Sequence, residues 1–215
     1  MLVFPKSTEF NKRISKQKFY ENIDVSPALK RVFVEQIKFI YWRNKLAEST
    51  INIAPGQAVT EIEVIEINLN HPHLDEAVLR QIDKEIPYHI LFVLSYENKV
   101  QAWTGYKEAA ASGNKAFKVN KYYHTDWISP EKLILEIKGL NLDTVWDNFI
   151  IQVGDLKLGR SKTLAEQIEQ DNFKAKLTKD IEKLEKKARK EKQPNKKFEL
   201  AQQVNTLKKK LGMRS

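Results

Sequence analysis

Apolar residues recur at helical spacing along residues 27–47, and this pattern predicts the first helix. Ser26 precedes the segment as an N-cap residue, and Pro27 suits the first helical position. The prediction places residues 41–45 at the end of this helix. The apolar positions that define its buried face are Leu29, Val32, Phe33, Ile37, Ile40 and Tyr41.

Two further elements follow, a strand at residues 59–69 and a short helix at residues 74–86. Within the strand, the alternation of apolar and polar residues changes phase at Val64–Ile65. This change predicts either a β-bulge at that point or a strand whose two faces are both partly covered. The inward positions of the helix are Leu74, Val78, Leu79 and Ile82.

The next segments predict an antiparallel meander. Residues 88–96 and 100–108 are strands joined by a short polar turn at 97–99. A loop at 109–116 leads to a third strand at 117–127. The order of elements predicts an α+β fold, with a mainly antiparallel sheet and helices packed on one of its faces.

The body ends with one more helix and a linker, and a helical tail follows them. Residues 140–152 are predicted to form one more amphipathic helix, and the segment GDLKLG at 154–159 is predicted to be a linker. We therefore predict an α+β globular domain over residues 1–159 and a basic helical tail over residues 160–215.

The tail contains two matched apolar seams on either side of Pro194. Both have the 4, 3, 4 spacing of heptad a and d positions, and the proline ends the first helix. The pattern predicts a coiled-coil-like hairpin, or a kinked helix that pairs in trans with another subunit. Each seam is only about two heptads long, so the tail would be marginally stable alone. We therefore expect it to dock on the body, a second copy or another protein. The interface residues are Leu177, Ile181, Leu184, Leu200, Val204, Leu207 and Leu211.

Charge is distributed unevenly along the chain. Residues 160–215 contain 17 Lys and Arg against 8 Asp and Glu, which accounts for the whole net charge of +9. Within the body, residues 1–45 carry 10 basic and 4 acidic residues, whereas residues 46–159 carry 10 and 16. Basic segments are typical of proteins that bind the phosphate backbone, and also of solvated lysine-rich helices.

Two basic segments of the body, at 12–20 and 41–45, also contain aromatic residues. Such segments suit a surface that binds phosphates while aromatic rings stack on bases. The alternatives are a solvated N-terminal arm anchored by Ile14 and Phe19, and a helix end whose cations complement the helix dipole. With the tail included, the residues predicted to bind nucleic acid are Lys12, Arg13, Lys16, Lys18, Arg43, Lys45, Lys186, Lys187, Arg189 and Lys190.

The sequence contains few motifs that indicate chemistry. It has no cysteine, which excludes disulfides and thiolate sites. We expect no metal and no cofactor, because no phosphate-binding loop or metal-ligand spacing is present. The chain also lacks an apolar run of about 18 residues and a secretory signal, so we expect a cytoplasmic protein without a membrane span.

Two weaker constellations remain as candidate sites. Tyr122, His124 and Asp126 form one, since a histidine beside a carboxylate suits acid–base chemistry, although a simple hydrogen-bonded pair is the alternative. A metal-dependent nuclease would use Glu63 or Glu66 with Lys107, because carboxylates on adjacent strands hold Mg²⁺ in such enzymes. The spacing of these residues departs from the D…ExK pattern, and the alternation around Glu63 also fits a solvent-facing side of a strand.

Four stretches carry a resemblance to a known family. They are NKRISKQKFYEN at 11–22, TINIAPG at 50–56, IPYHILF at 86–92 and KYYHTDW at 121–127. Together with the lysine-rich C-terminus, they resemble an uncharacterised bacterial domain family. The resemblance implies a gene position beside helicases and DNA methyltransferases, in restriction-like or phage-defence clusters, and it implies no catalytic residues.

These observations favour a non-enzymatic accessory or adaptor subunit of a DNA-processing or phage-defence complex. Such a subunit would bind a protein partner, which the resemblance indicates is a helicase or a methyltransferase, and the backbone of DNA or RNA. Two alternatives stay open. One is a divergent metal-dependent nuclease, and the other is an oligomerisation module whose tail pairs with itself and binds no nucleic acid.

Overall fold

Six strands form one mixed sheet in the computed structural model, which describes residue 2 and residues 4–17, 26–109, 117–156 and 163–212. The strands lie in chain order across the sheet, and every neighbouring pair is antiparallel except β3–β4, which is parallel. The α+β fold with a mainly antiparallel sheet is therefore confirmed. The strands are β1 (Glu9–Ile14), β2 (Ile37–Leu46), β3 (Ile62–Leu69), β4 (His89–Tyr96), β5 (Lys99–Ala109) and β6 (Phe117–His124).

The helices of the described residues fall into two compact units of the chain, residues 1–157 and residues 158–215. None of these helices is both long and apolar enough to cross a membrane. The first unit contains α1 (Pro27–Gln36), the single turn α2 (Glu48–Ile51), α3 (Glu76–Glu85) and α4 (Leu142–Gly154), and the second contains α5 (Leu164–Lys190) and α6 (Pro194–Leu211).

Helices α1 and α3 cover one face of the sheet, which we call the helical face. Phe33 of α1 and Ile82 of α3 are fully buried there against Ile67 of β3 and Phe92 of β4. Helix α3 is also the crossover that a parallel β3–β4 pair requires. The predicted packing of helices on one face is thus present for α1 and α3.

The opposite face is covered by α4 over part of its area. Successive side chains of a strand point to opposite sides, so His89 and Leu91 lie on the face opposite Ile90 and Phe92. Trp146 of α4 meets His89 edge-on, with ring centroids 5.1 Å apart. The side of β2, β3 and β4 that carries Tyr41, Glu66 and Ser95 shares this second face, which we call the open face.

The prediction of one helix over residues 27–47 is wrong in its second half. The helix ends at Gln36, and Ile37 has the extended dihedrals φ −101° and ψ 129°. Residues 37–46 form β2, which pairs with β1 on one side and β3 on the other. The spacing of Ile37 and Ile40 suits a helix, but this run is rich in β-branched and aromatic residues that favour a strand. Pairing along both of its edges overrides the helical spacing.

Two features of the sheet explain the phase change at Val64–Ile65: both faces of β3 are covered, and the neighbouring strand β2 contains a bulge there. All residues of β3 are buried or half-buried, so both of its faces are covered, which was one of the two predictions. The irregularity lies in the neighbouring strand, where Trp42 pairs with Ile65 and Asn44 pairs with Val64. Arg43 is the extra residue of this bulge.

The N-terminus of α4 is fastened to the loop that precedes β3. The carboxylate of Asp143 accepts hydrogen bonds from the backbone N–H groups of Gln57 at 2.7 Å, Ala58 at 3.1 Å and Val59 at 2.7 Å. Gly56 permits this approach, because a Cβ at that position would lie 2.1 Å from Cγ of Asp143. The loop and the helix are therefore held by one carboxylate that occupies a cradle of backbone donors.

The tail helices pack against each other, which confirms the predicted C-terminal helical pair. A connection of three residues, 191–193, joins α5 to α6 and makes them antiparallel. Leu177, Ile181 and Val204 are buried, and the other four predicted seam residues are half-buried. Lys208 and Glu185 form an ion pair of 2.8 Å beside the seam.

We expect Gly56→Ala to lower the free energy of unfolding by about 1–3 kcal/mol, because the added methyl group displaces the Asp143 carboxylate. Urea unfolding followed by circular dichroism measures the change. In an Asp143→Ala background the same substitution is expected to cost less, because the clashing carboxylate is gone. An equal cost in both backgrounds would contradict this account of the loop.

Candidate nucleic-acid interface

Pairing of β1 with β2 brings the two basic segments of the body side by side. Arg13 lies opposite Tyr41, and Lys12 lies opposite Trp42. Residues 12–14 of the first segment belong to β1, and residues 41–45 belong to β2, so the second segment is a strand and not the end of a helix. Arg13 lies with Tyr41 on the open face, whereas Lys12 lies with Trp42 on the helical face.

Cationic side chains on the open face lie over aromatic rings of β2. The guanidinium of Arg13 is 4.5 Å from the ring centre of Phe39, and that of Arg43 is 4.4 Å from the ring centre of Tyr41. Lys38 Nζ lies 5.4 Å from the Phe39 ring. A hollow of about 510 Å³ adjoins Phe39, and its lining includes Arg13, Lys16 and Lys38. We call Arg13, Lys16, Lys38, Phe39 and Tyr41 the basic strip.

The residues predicted to bind nucleic acid differ in the partners of their charged groups. Arg43 Nε is 2.5 Å from Glu66 Oε2, and Lys45 Nζ is 2.5 Å from Glu61 Oε2, so both cations are paired with carboxylates. Lys16 Nζ donates to the carbonyl of Ile37 at 2.7 Å. Arg13 and Lys38 are exposed, and they contact rings instead of carboxylates in the part of the chain that the structure describes. Lys38 is a member that sequence reasoning missed, because the helical prediction placed it away from Arg13.

The remaining predicted contacts lie elsewhere. Lys12 is exposed on the helical face, with its Nζ 4.2 Å from the ring centre of Phe10. Lys18 lies outside the described residues, as does most of the loop predicted at 109–116. The four tail cations Lys186, Lys187, Arg189 and Lys190 are exposed in the last turns of α5, where they also complement the helix dipole.

A cavity of about 330 Å³ with a mixed polar and apolar lining lies on the open face next to the basic strip. Glu66 forms part of its lining and is held from two sides, by Arg43 at 2.5 Å and by the hydroxyl of Ser95, which donates to Oε1 at 3.0 Å. Asn68 donates to the same hydroxyl at 3.1 Å. Asn11, whose φ of +46° is tolerated by asparagine, accepts from Arg43 at 3.3 Å.

Sequence reasoning singled out Glu66 and Arg43 but missed the residues that join them. Glu66 and Asn68 share one side of β3, and this period of two was the available signal. Ser95 and Asn11 carry no comparable signal, because their role depends on the parallel β3–β4 pairing and on the irregularity between Glu9 and Lys12 in β1.

Glu63 lies on the opposite side of β3 from Glu66, within the helical face. It is buried, it accepts a hydrogen bond from the Trp42 indole N–H, and it neighbours Glu61, the partner of Lys45. Burial, followed by the hydrogen bond and charge of Glu61, raises the pKa of Glu63 to about 8. Glu63 therefore carries a proton at neutral pH and serves the packing of the sheet.

Lys107 also lies on the helical face, in a buried cluster with α3. Its Nζ is 2.7 Å from Asp83 Oδ1 and donates to the carbonyl of Tyr88 at 2.8 Å, and both members of the ion pair have fully buried side chains. Burial raises the pKa of Asp83 and lowers the pKa of Lys107. Glu66 and Lys107 therefore lie on opposite faces of the sheet.

At the predicted polar site, Tyr122 and His124 share one face of β6 and both contact the ring of Trp103, but they differ in burial. Tyr122 is buried and donates its hydroxyl to Asp83. His124 is exposed and stacks on Trp103 with centroids 4.3 Å apart, while its Nδ1 lies 3.2 Å from Nε2 of Gln101. Asp126 is exposed beyond the end of β6.

Among the described residues, no group of three or more His, Asp or Glu side chains is placed to hold a metal ion. His89 is buried beneath α4, and burial together with the charge of Lys107 lowers its pKa to about 3. This histidine is therefore neutral and belongs to the packing between the sheet and α4.

We expect the stability difference between Glu63→Gln and the unmodified protein to depend on pH. Because the pKa of Glu63 is raised from 4.5 to about 8 by folding, its protonation stabilises the native state at low pH, and this contribution is lost as pH rises from about 4.5 to 8. Glutamine mimics the protonated acid, so the variant should match the original near pH 5 and exceed its stability above about pH 8. Urea unfolding at these pH values measures the difference, with the exposed Glu136→Gln as the control. A constant difference across this range would contradict the assignment.

We expect Lys107→Met to destabilise the protein by about 3–5 kcal/mol, because Asp83 then loses its buried partner. The double variant Asp83→Asn, Lys107→Met should be more stable than this single variant, since it removes the unpaired charge and keeps an acceptor for Tyr122. Denaturant unfolding of the single and double variants tests the pair. A double variant less stable than Lys107→Met would contradict this description of the cluster.

Comparison with known proteins identifies the family of this chain. No curated protein and no solved structure matches the chain. One family model, described as a domain of unknown function (DUF4391), matches residues 2–211, which is nearly the whole sequence and includes both the sheet and the tail helices. The chain therefore belongs to the DUF4391 family.

Proposed function

We propose that this protein is a non-enzymatic accessory subunit that binds the backbone of single-stranded nucleic acid through the basic strip. The observation that carries the proposal is the antiparallel pairing of β1 and β2, which places Arg13 beside the aromatic rings of β2. The resemblance in the sequence adds the context of a DNA-processing or phage-defence complex in the cytoplasm.

The composition of the strip supports a single strand as the ligand. Exposed cations bind phosphates, and aromatic rings on a sheet surface stack with unpaired bases. Arg13 and Lys38 have no carboxylate partner among the described residues, so phosphates can approach them without displacing an ion pair. Phe39 and Tyr41 are half-buried, so part of each side chain is accessible to a ligand.

The tail supports a role in binding a protein partner. Its seam residues are used in packing α5 against α6, so a partner would meet the outer surfaces of these helices. Phe173 and Phe198 are 57% and 65% exposed on these surfaces, and aromatic anchors of this kind are common in protein interfaces. We propose that the partner is the helicase or methyltransferase that the resemblance indicates.

Binding of a fluorescent single strand of about 12 nucleotides tests the proposal, measured by fluorescence anisotropy between about 50 and 300 mM salt. We expect Arg13→Ala, Lys38→Ala to weaken binding at low salt and to reduce the slope of log K against log salt by about one for each lost phosphate contact. The matched control, Lys186→Ala, Lys187→Ala, removes the same charge from the tail and should have a smaller effect.

Two outcomes would contradict the proposal. Absence of binding at about 50 mM salt, where electrostatic attraction is strong, would remove the nucleic-acid component. Loss of binding in the tail variant with full binding in the strip variant would move the contact to α5. The same strands incubated with Mg²⁺ test the nuclease alternative, which requires cleavage that Glu66→Ala abolishes.

A further inference from the structure

The cavity on the open face adjoins the basic strip through one residue. Arg43 lies over the ring of Tyr41 and also lines the cavity, where it pairs with Glu66. A nucleic-acid strand on the strip would therefore pass the mouth of the cavity. The volume of about 330 Å³ is within the range of small-molecule sites. The cavity is therefore large enough to hold one chemical group of the bound strand.

The charges around the cavity exclude a phosphate. Its lining includes three carboxylates, Glu9, Glu66 and Glu97, against the single guanidinium of Arg43. Like charges repel strongly in a partly enclosed site, so an anionic group would bind on the strip rather than here. The neutral part of a nucleotide, its base, does not meet this repulsion.

The lining combines apolar walls with polar groups. Val64, Val93 and Val100 of the sheet, together with Phe4 and Leu133, supply apolar surface. Glu66, Asn68 and Ser95 supply the polar groups, and the Ser95 hydroxyl is hydrogen-bonded to both of the other side chains. A flat heterocycle with polar atoms on one edge matches such a lining, because its faces are apolar and its edge forms hydrogen bonds.

The hydrogen-bonding capacity of Glu66 selects among the bases. A carboxylate accepts about four hydrogen bonds, and Glu66 uses one acceptor site on each oxygen, for Ser95 and for Arg43. One site therefore remains on each oxygen, which suits two adjacent N–H donors. Guanine presents such a pair, N1–H and the N2 amino group, whereas thymine presents a single N–H on the equivalent edge.

We propose that this cavity binds a guanine base of the strand that lies on the basic strip, with Glu66 accepting from N1–H and N2–H. The inference rests on the proposed function for the strand, but the base preference is a separate property of the cavity. A bidentate contact of this kind is worth about tenfold or more in discrimination between bases.

Anisotropy with two strands of about 12 nucleotides tests the inference, one all thymine and one with a single central guanine. The guanine strand is expected to bind about tenfold more tightly to the unmodified protein. Glu66→Gln should abolish this preference, because an amide cannot accept on both of its ends. Glu136→Gln is the control, since it removes the same charge from an exposed position outside the cavity lining and should keep the preference. Thermal melting of both variants verifies that they fold.

The outcomes separate this inference from the proposed function. Equal, salt-dependent binding of both strands would overturn the guanine site and leave the nucleic-acid role intact, and a preference that survives Glu66→Gln would also overturn the site. If neither strand binds, guanosine and thymidine are compared as free nucleosides by NMR. Amide shifts at Asn68 and Ser95 with guanosine alone would support the site, and their absence would overturn it.

Discussion

The pairing of β1 with β2 is the interaction on which the surface chemistry of this protein depends. Without it, the two basic and aromatic segments of the body are separate stretches of sequence. In the sheet, Arg13 and the rings of β2 share one face, and the irregularity in β1 places Asn11 beside Arg43. An edge strand that carries cations also resists further edge-to-edge pairing, so these charges suit the end of the sheet as well as a ligand.

The two sides of β3 divide the polar chemistry of the domain. On the helical face, Glu63 takes a proton and Asp83 takes Lys107 as its partner, because isolated charges are costly in a packed interior. On the open face, Glu66 stays beside Arg43 at the cavity. Glu63 and Glu66 are three positions apart, so the pleat of one strand determines which carboxylate is structural and which is available to a ligand.

Much of the fold was predictable from local patterns, whereas the site was not. The hairpin at 97–99, α3, α4 and the two tail seams follow from periodicity and turn residues, and the structure contains all of them. The pattern gave the wrong element for residues 37–46, because the spacing of Ile37 and Ile40 suits a helix. This segment is a strand because it pairs with β1 and β3. That error separated Lys38 from Arg13 and hid the basic strip. The TINIAPG stretch at 50–56 now has a physical role, since its glycine lets Asp143 fasten α4 to the loop.

The central claim is that the open face of the sheet binds a single strand. Titration of isotopically labelled full-length protein with a guanine-containing strand, followed by amide NMR shifts, tests it most directly. The account predicts shifts concentrated in β1 and β2 and at Glu66, Asn68 and Ser95 around the cavity. Shifts confined to α5 and α6, with the open face unchanged, would contradict it.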